Sequence, residues 1–385
     1  MKILMTGLLP SDPDRNDGGV VSVIRNLLDG FQHTPDVEIC HVSFNKETDR
    51  PVLQQIAPNI RLRFLPFRSR IDLVDYALNR RTLDNIIREE SPDLIHIQEI
   101  TPQVLRFLHL DRNRLVVTQH GIMRTEIRHL RTPGPLLKGL FKSGIERFIL
   151  PWFRNVIFIS AYNRAVHRGH PVNSEIIFNP AGRMFFESQL PEGDPCSWMM
   201  VAAFSRIKNA ELLLRVLHRF RQDGIRCTLN LVGGFKTKSY ERFIHRMIRS
   251  LGLQDQVKSH GWCSPTEVLQ HMRSSAVCIL PSRKESLPVA VAEAMAAGRV
   301  VVASDVGAVS EMFLDGDSGF LFPSEDADAL HSILSRLLED HGLRRRVAER
   351  ARIVELHRFH PDIIAARTLR FYQQVAKSRT ETAPA

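Results

Sequence analysis

The chain has 385 residues, 43% hydrophobic and 24% charged, with 21 Gly and 21 Pro; this is the composition of an ordinary globular protein and sets aside disordered and fibrous classes. Fifty-two Lys and Arg against 42 Asp and Glu leave a net charge of +10, which points to an anionic partner: nucleic acid, acidic lipid or a phosphorylated substrate. At about 150 residues per domain the length predicts two or three domains, and no run reaches the roughly 18 apolar residues that a membrane span needs.

The N-terminal KILMTGLL reads as a first strand, not a leader peptide, because Pro10, Ser11 and Asp12 stand where a cleavage site needs small residues. The runs VEICHVSF, RLRFLP, LIHI, LVVTQ, VIFIS and EIIF follow, alternating with amphipathic stretches. After the turn-rich PEGDPCS comes a second series: WMMVAAF, CTLNLVG, VKSH, AVCILP, VVVASD and GFLF. Such alternation predicts two doubly wound α/β domains with parallel sheets, over 1–182 and 197–359, with ligands in a crevice at the carboxyl ends of the strands. PDIIAARTLRFYQQVAK, within 360–377, predicts a closing helix opened by Pro361, with Ile363, Leu369, Phe371, Tyr372 and Val375 at helical spacing and SRTETAPA frayed beyond it. The five cysteines are odd in number, widely spaced and without a CxxC pair, so neither disulfides nor zinc are indicated and a reducing cytoplasm is expected.

Basic charge is concentrated. Residues 124–154 hold seven basic residues (Arg124, Arg128, Arg131, Lys138, Lys142, Arg147, Arg154) against Glu126 and Glu146, and Arg61, Arg63, Arg68 and Arg70 form a second run. From Pro133 to Arg154 the apolar Leu136, Leu137, Leu140, Phe141, Ile145, Phe148, Ile149 and Trp152 recur at helical spacing, which suits either a helix on an anionic leaflet or one packed on the first domain's sheet. Nucleic acid is not the expected partner, because no aromatic platforms or reader motif accompany the basic runs.

The most informative stretch is PSRKESLPVAVAEAMAAGRVVVASDVGAVSE, Pro281 to Glu311. Pro288 can open a helix there, and the amides of Val289 and Ala290, unpaired at its amino end, join the helix dipole in making a diphosphate site. Glu293 lies about five residues in, roughly 7.5 Å along the axis, with its side chain leaning back toward that end. Glu285 precedes the helix, so two carboxylates flank the phosphates and can accept hydroxyls of a ribose and a hexose. The pairs Asp12/Asp14, Asp315/Asp317 and Asp326/Asp328 read as turn and cap residues and not as metal ligands.

This stretch resembles the donor-binding signature of glycosyltransferase family 4, retaining enzymes of the GT-B fold, and GGVVSVIRNLL, VVTQHGI, FISAYNRA, IIFNP, VAAFSRIKNAELLLRVL, LVGG and DGDSGFLFP follow in family order. The resemblance implies two Rossmann-like domains facing each other across a cleft, with the C-terminal helix packing back on the first. It implies transfer of a hexosyl group, without metal or cofactor, from a UDP- or GDP-sugar to a saccharide or lipid-linked saccharide acceptor in cell-surface polysaccharide or glycolipid synthesis. The enzyme would be cytoplasmic, at the inner face of the membrane where 133–154 meets anionic lipid. His120, Glu285 and Lys208 would serve catalysis: His120 meets a sugar hydroxyl, Glu285 holds the transferred sugar and Lys208 clamps the diphosphate. Donor binding would involve Gly18, Gly19, Arg206, Ser286, Leu287, Pro288, Val289 and Glu293, the last on the ribose. Two departures stand out: Ala203 takes the place of a family Arg, with Arg206 as candidate replacement, and Ser286-Leu287-Pro288 replaces Gly-Phe-Gly. They leave open a catalytically impaired homologue acting as a partner subunit; an epimerase, forming product without acceptor, is a further alternative.

Overall fold

The structure, a computed structural model, describes residues 1–12, 15, 18–45, 47–69, 72–98, 100, 102–122, 133–167, 173–188 and 190–382. The chain divides into two compact units: Met1–Pro13, Val20–Asn179 and Pro361–Ala385 form one, Asp14–Gly19 and Pro180–His360 the other.

The first unit is built on β1 (Lys2–Thr6), β2 (Glu38–Asn45), β3 (Val52–Ala57), β4 (Ile60–Pro66), β5 (Leu94–Gln98), β6 (Leu115–Gln119), β7 (Asn155–Phe158) and β8 (Asn173–Ile176), ordered β3-β4-β2-β1-β5-β6-β7-β8. All pairs are parallel except β3 with β4. β5 and β6 are buried at every residue, the mark of a sheet covered on both faces. β3 is the strand the sequence did not announce: VLQQIA is mostly exposed, so it carries no alternation to read. Asn59 pins the turn after it, donating from Nδ2 to the carbonyls of Phe31 (2.9 Å), Thr34 (3.1 Å) and Val37 (3.0 Å).

The C-terminal helix Pro361–Thr382 belongs to this unit, and buries Ile364, Ala365, Phe371, Tyr372 and Val375 against Ile24, Leu28 and Phe31 of the helix Gly19–Gln32. Gly30 permits the approach, since a Cβ there would lie 2.3 Å from the Pro361 carbonyl oxygen. Of the residues read at helical spacing, Ile363 and Leu369 are half-buried. One expectation is corrected: the helix runs on to Thr382, because nothing in SRTET breaks it.

The second unit holds β9 (Asp194–Val201), β10 (Thr228–Val232), β11 (Val257–Gly261), β12 (Ser275–Leu280), β13 (Val300–Ser304) and β14 (Phe320–Phe322) in the parallel order β11-β10-β9-β12-β13-β14. It begins at Pro180, ahead of the expected boundary at 182–197. Arg352 donates to the carbonyls of Phe186 (2.7 Å) and Ser188 (3.1 Å), and Ala181 N donates to Phe359 O (3.0 Å), tying that segment to the unit. Strand order reverses between β9 and β12. Among the described residues no helix is long and apolar enough to cross a membrane.

Candidate functional site

In a parallel sheet of this kind, ligands bind beyond the carboxyl ends of the two strands between which the order reverses. β9 ends at Val201 and β12 at Leu280, and the loops that follow carry Lys208 and Glu285. Arg283 laces the two loops together. Its amide donates to Ile207 O at 2.8 Å, and its guanidinium reaches the Arg206 carbonyl, Glu211 Oε1 (2.9 Å) and Glu325.

Held this way, Lys208 Nζ stands 2.6 Å from Glu285 Oε1, and the buried Ser282 hydroxyl donates to the same oxygen at 2.6 Å. Among the described residues Glu285 Oε2 has no hydrogen-bond partner, and Lys208 spends one of its three donors. The pair is therefore a fixed carboxylate with one free oxygen beside an ammonium with free N–H groups. Gly307 backs it: its φ is +64°, and a Cβ there would come 1.8 Å from the Glu285 carbonyl oxygen. Ser282, Arg283 and Gly307 all lie inside the stretch singled out from the sequence, but spacing alone does not say which of its residues touch Glu285.

The helix Val289–Ala296 starts four residues after Glu285, with Pro288 as its N-cap (φ −73°, ψ 115°) and not its first helical residue. No side chain caps it, so the amides of Val289 and Ala290 stay without an intrahelical acceptor. Leu287 and Val289 bury their side chains, so only their backbone can face a ligand, while Ser286 is half-buried. Glu293 sits in the second turn, half-buried, and no group among the described residues hydrogen-bonds its carboxyl. Desolvation by burial pushes that carboxyl from the usual 4.5 up to about 8.

Arg206 is exposed and lies with its guanidinium 5.1 Å over the Phe243 ring, making no ion pair among the described residues. The structure thus does not bring it to Lys208 and Glu285. Asn209, next to Lys208, adopts a left-handed φ of 56°, and among the described residues its buried amide has no partner on either atom. A glycine or asparagine is what such a backbone accepts.

In the first unit, His120 follows β6 and is buried. Its Nε2 is 2.9 Å from Gln98 Oε1 and its Nδ1 is 3.2 Å from Asn179 Oδ1, while burial pushes its pKa down to about 4. It is a neutral imidazole with both nitrogens engaged. Gly18 has φ +140° and Gly19 opens the helix Gly19–Gln32; a Cβ on either meets nothing within 4 Å.

Of the basic runs, Arg61 and Arg63 are neutralised by Glu89 and Glu90 (Arg61–Glu90 2.8 Å, Arg63–Glu89 2.8 Å, Arg63–Glu90 2.5 Å), so they are no anion patch. Arg70, Arg124, Arg128 and Arg131 lie outside the described residues, as do the side chains of Leu136, Leu137, Lys138 and Lys142. The helix Pro133–Ile149 has two faces: Ile145 and Glu146 are buried, whereas Leu140, Phe141 and Phe148 are 52%, 51% and 74% exposed.

Residues 17–181 match the family described as Glycosyltransferase Family 4, and residues 183–354 match Glycosyl transferases group 1. An uncharacterized glycosyltransferase of Methanocaldococcus jannaschii is 24% identical over 359 residues, 90% of this chain and 92% of that one. A phosphatidyl-myo-inositol mannosyltransferase of Mycolicibacterium smegmatis is 40% identical over 106 residues, 27% of each chain. Among solved structures, sucrose-phosphate synthase from Thermosynechococcus elongatus superposes with a TM-score of 0.83 at 20% identity, covering 98% of this chain and 99% of that one. Anabaena HepE in complex with UDP-glucose gives 0.69 at 18% identity, covering 99% and 100%. The fold is GT-B.

Proposed function

The chain belongs to the group 1, family 4 glycosyltransferases and transfers a glycosyl group, and from that premise we propose that it moves a hexosyl group from a UDP- or GDP-sugar, with retention at the anomeric carbon, to a saccharide or lipid-linked saccharide. The observation that carries this reading is the cluster of Lys208, Glu285 and Ser282 four residues ahead of an uncapped helix, at the reversal of strand order.

Each group then has a task. Negative charge develops on the leaving diphosphate, where the free N–H groups of Lys208 and the amides of Val289 and Ala290 stabilise it without reorganising. With these donors aimed at the leaving group, the reaction is read as metal-independent. Glu285, immobilised through Oε1, offers Oε2 to hydroxyls of the transferred sugar. Glu293 receives the ribose hydroxyls; hydrogen bonds to a carboxylate favour its charged form, so donor binding near neutral pH releases a proton. His120 is assigned a sugar hydroxyl, and Gly18 and Gly19 are assigned backbone amides that come near a phosphate or acceptor. Arg206 has no part in this assignment, since it is stacked on Phe243.

A lipid-linked acceptor suits the exposed Leu140, Phe141 and Phe148 beside Arg147, a face that can enter an anionic leaflet on the cytoplasmic side. The similarity to a phosphatidyl-myo-inositol mannosyltransferase points the same way. The test is turnover: incubation with UDP- and GDP-hexoses and a set of acceptors, with nucleotide release and product anomer read out. Inversion at the anomeric carbon, or full turnover in Glu285→Gln, would contradict the assignment.

A further inference from the structure

The helix Lys238–Ser250, which follows β10 in the second unit, carries a run of unneutralised charge. From Lys236 to Ser250 there are five basic residues, Lys236, Lys238, Arg242, Arg246 and Arg249, against Glu241 alone, a net +4 of the chain's +10. All five are exposed, and among the described residues none of them makes an ion pair. Arg242 donates from Nε to the Lys238 carbonyl at 3.3 Å, which keeps its guanidinium along the helix. Elsewhere on the same unit Arg219, Arg226, Arg345 and Arg350 each meet an acid.

The stripe follows from how the helix is seated. Thr237 caps it, its hydroxyl accepting from Tyr240 N at 3.3 Å, and Tyr240, Ile244 and Ile248 are buried. At 3.6 residues per turn, Lys238, Arg242, Arg246 and Arg249 then fall within about 80° of arc on the opposite side and span roughly 16 Å of axis. Like charges three and four positions apart on a helix repel, so the stripe costs stability until a surface of opposite sign faces it. Arg206 adds a further cation beside it, 5.1 Å over the ring of Phe243, three positions before Arg246. The residue that the donor cluster does not use therefore joins this face.

We propose that the exposed face of the helix Lys238–Ser250 is an electrostatic docking surface for an anionic lipid leaflet, with Arg242, Arg246 and Arg249 against the phosphates. A small anion needs cations that converge on it, whereas these are strung along the convex side of a helix and match an extended plane of charge. Single-stranded nucleic acid is the poorer fit, because it takes exposed aromatic platforms, and here Phe243 is half-buried beneath Arg206 and Tyr240 is buried. No large apolar side chain of this helix is exposed, so the contact is one of charge, at about fivefold in affinity for each basic residue near the surface. It differs in kind from the apolar Phe141 and Phe148 of the first unit, and it goes beyond the proposed transfer reaction, asking nothing of donor or acceptor.

Co-sedimentation with phosphatidylcholine vesicles, with and without phosphatidylglycerol, tests it. Binding should require phosphatidylglycerol and fall steeply between about 0.1 and 1 M salt, as the Debye length shrinks from about 10 to 3 Å. The triple variant Arg242→Gln, Arg246→Gln, Arg249→Gln should bind about a hundredfold more weakly, in wild-type and Phe148→Ser backgrounds alike, while melting no lower than its parent and turning over a soluble acceptor within about twofold. Replacing the same three residues by Lys keeps the charge and should keep binding within about threefold. Unchanged vesicle binding in the Gln variant overturns the proposal, and so does binding that ignores salt or phosphatidylglycerol. A Lys variant as weak as the Gln variant overturns it too, because a leaflet reads charge and not guanidinium geometry. So does a Gln variant that loses affinity for a DNA duplex or an acidic peptide while its vesicle binding stays at the wild-type level.

Discussion

Glu293 gives the sharpest test of function against stability. Its carboxyl is half-buried and has no hydrogen-bond partner among the described residues, and desolvation pushes its pKa to about 8 in the folded chain against 4.5 when unfolded. The sign follows from which state holds the proton. Below 4.5 both states are protonated and the residue costs nothing. As pH rises the unfolded chain ionises first, so folded stability falls progressively and the loss levels off above about 8. At pH 7 the gap between the unfolded value and the solution is about 2.5 units, and at about 1.4 kcal/mol per unit Glu293 costs about 3 kcal/mol. Glu293→Gln should therefore stabilise the protein by about that amount at pH 7, raising the melting temperature of the second unit by roughly 6 to 12 °C, and by almost nothing at pH 4.5. The same variant should bind UDP or GDP more weakly, because an amide offers the ribose one acceptor where a carboxylate offers two. Glu355 supplies the control: it is fully buried, its two carboxylate oxygens have no partner among the described residues, and its pKa is raised well above the usual range by burial. Glu355→Leu should stabilise too, with nucleotide affinity unchanged. Calorimetric melts across pH 4.5 to 8 and nucleotide titration decide; a Glu293→Gln protein no more stable at pH 7 than wild type, or one that binds nucleotide equally well, refutes the reasoning.

Other outcomes follow from single contacts. Gly307→Ala forces a Cβ against the Glu285 carbonyl at a positive φ, and should cost more than about 2 kcal/mol and most of the transfer activity, read by denaturant melts and turnover. Asn209→Gly removes a buried unsatisfied amide and the left-handed strain together, and should stabilise by about 1 to 2 kcal/mol; a loss of stability would show that the amide has a partner. Donor titration in buffers of different ionisation enthalpy should detect a proton released on binding at pH 7, and Glu293→Gln should abolish that release. Phe148→Ser should weaken co-sedimentation with phosphatidylglycerol vesicles without changing turnover of a soluble acceptor; equal sedimentation of both proteins, or no dependence on anionic lipid, counts against the membrane face.

Much of this was legible before any coordinates, for reasons that differ by feature. Most of the fourteen strands leave apolar runs because their residues are buried; β3 leaves none because it is mostly exposed, and β11, exposed as well, shows only the short VKSH. Glu285 and Glu293 are placed by chain distance from one helix start, which sequence encodes directly. Lys208 reaches Glu285 across 77 positions, and only the pairing of β9 with β12 brings their loops together. Arg206 shows the limit of spacing: two residues from Lys208, it leaves the loop in another direction and finds Phe243. Gly307 was out of reach for the same reason. A glycine tells nothing of the carbonyl it must clear.

The claim underneath is that Lys208, fixed by Glu285, grips the diphosphate of a nucleotide sugar. Calorimetric titration of UDP and GDP, with uridine and guanosine alongside, into wild type and Lys208→Met tests it most directly. Loss of one charge-assisted contact predicts that affinity for the preferred diphosphate falls about ten- to a hundredfold while the matching nucleoside is unaffected. Equal diphosphate affinity in a variant that melts like the wild type would contradict it.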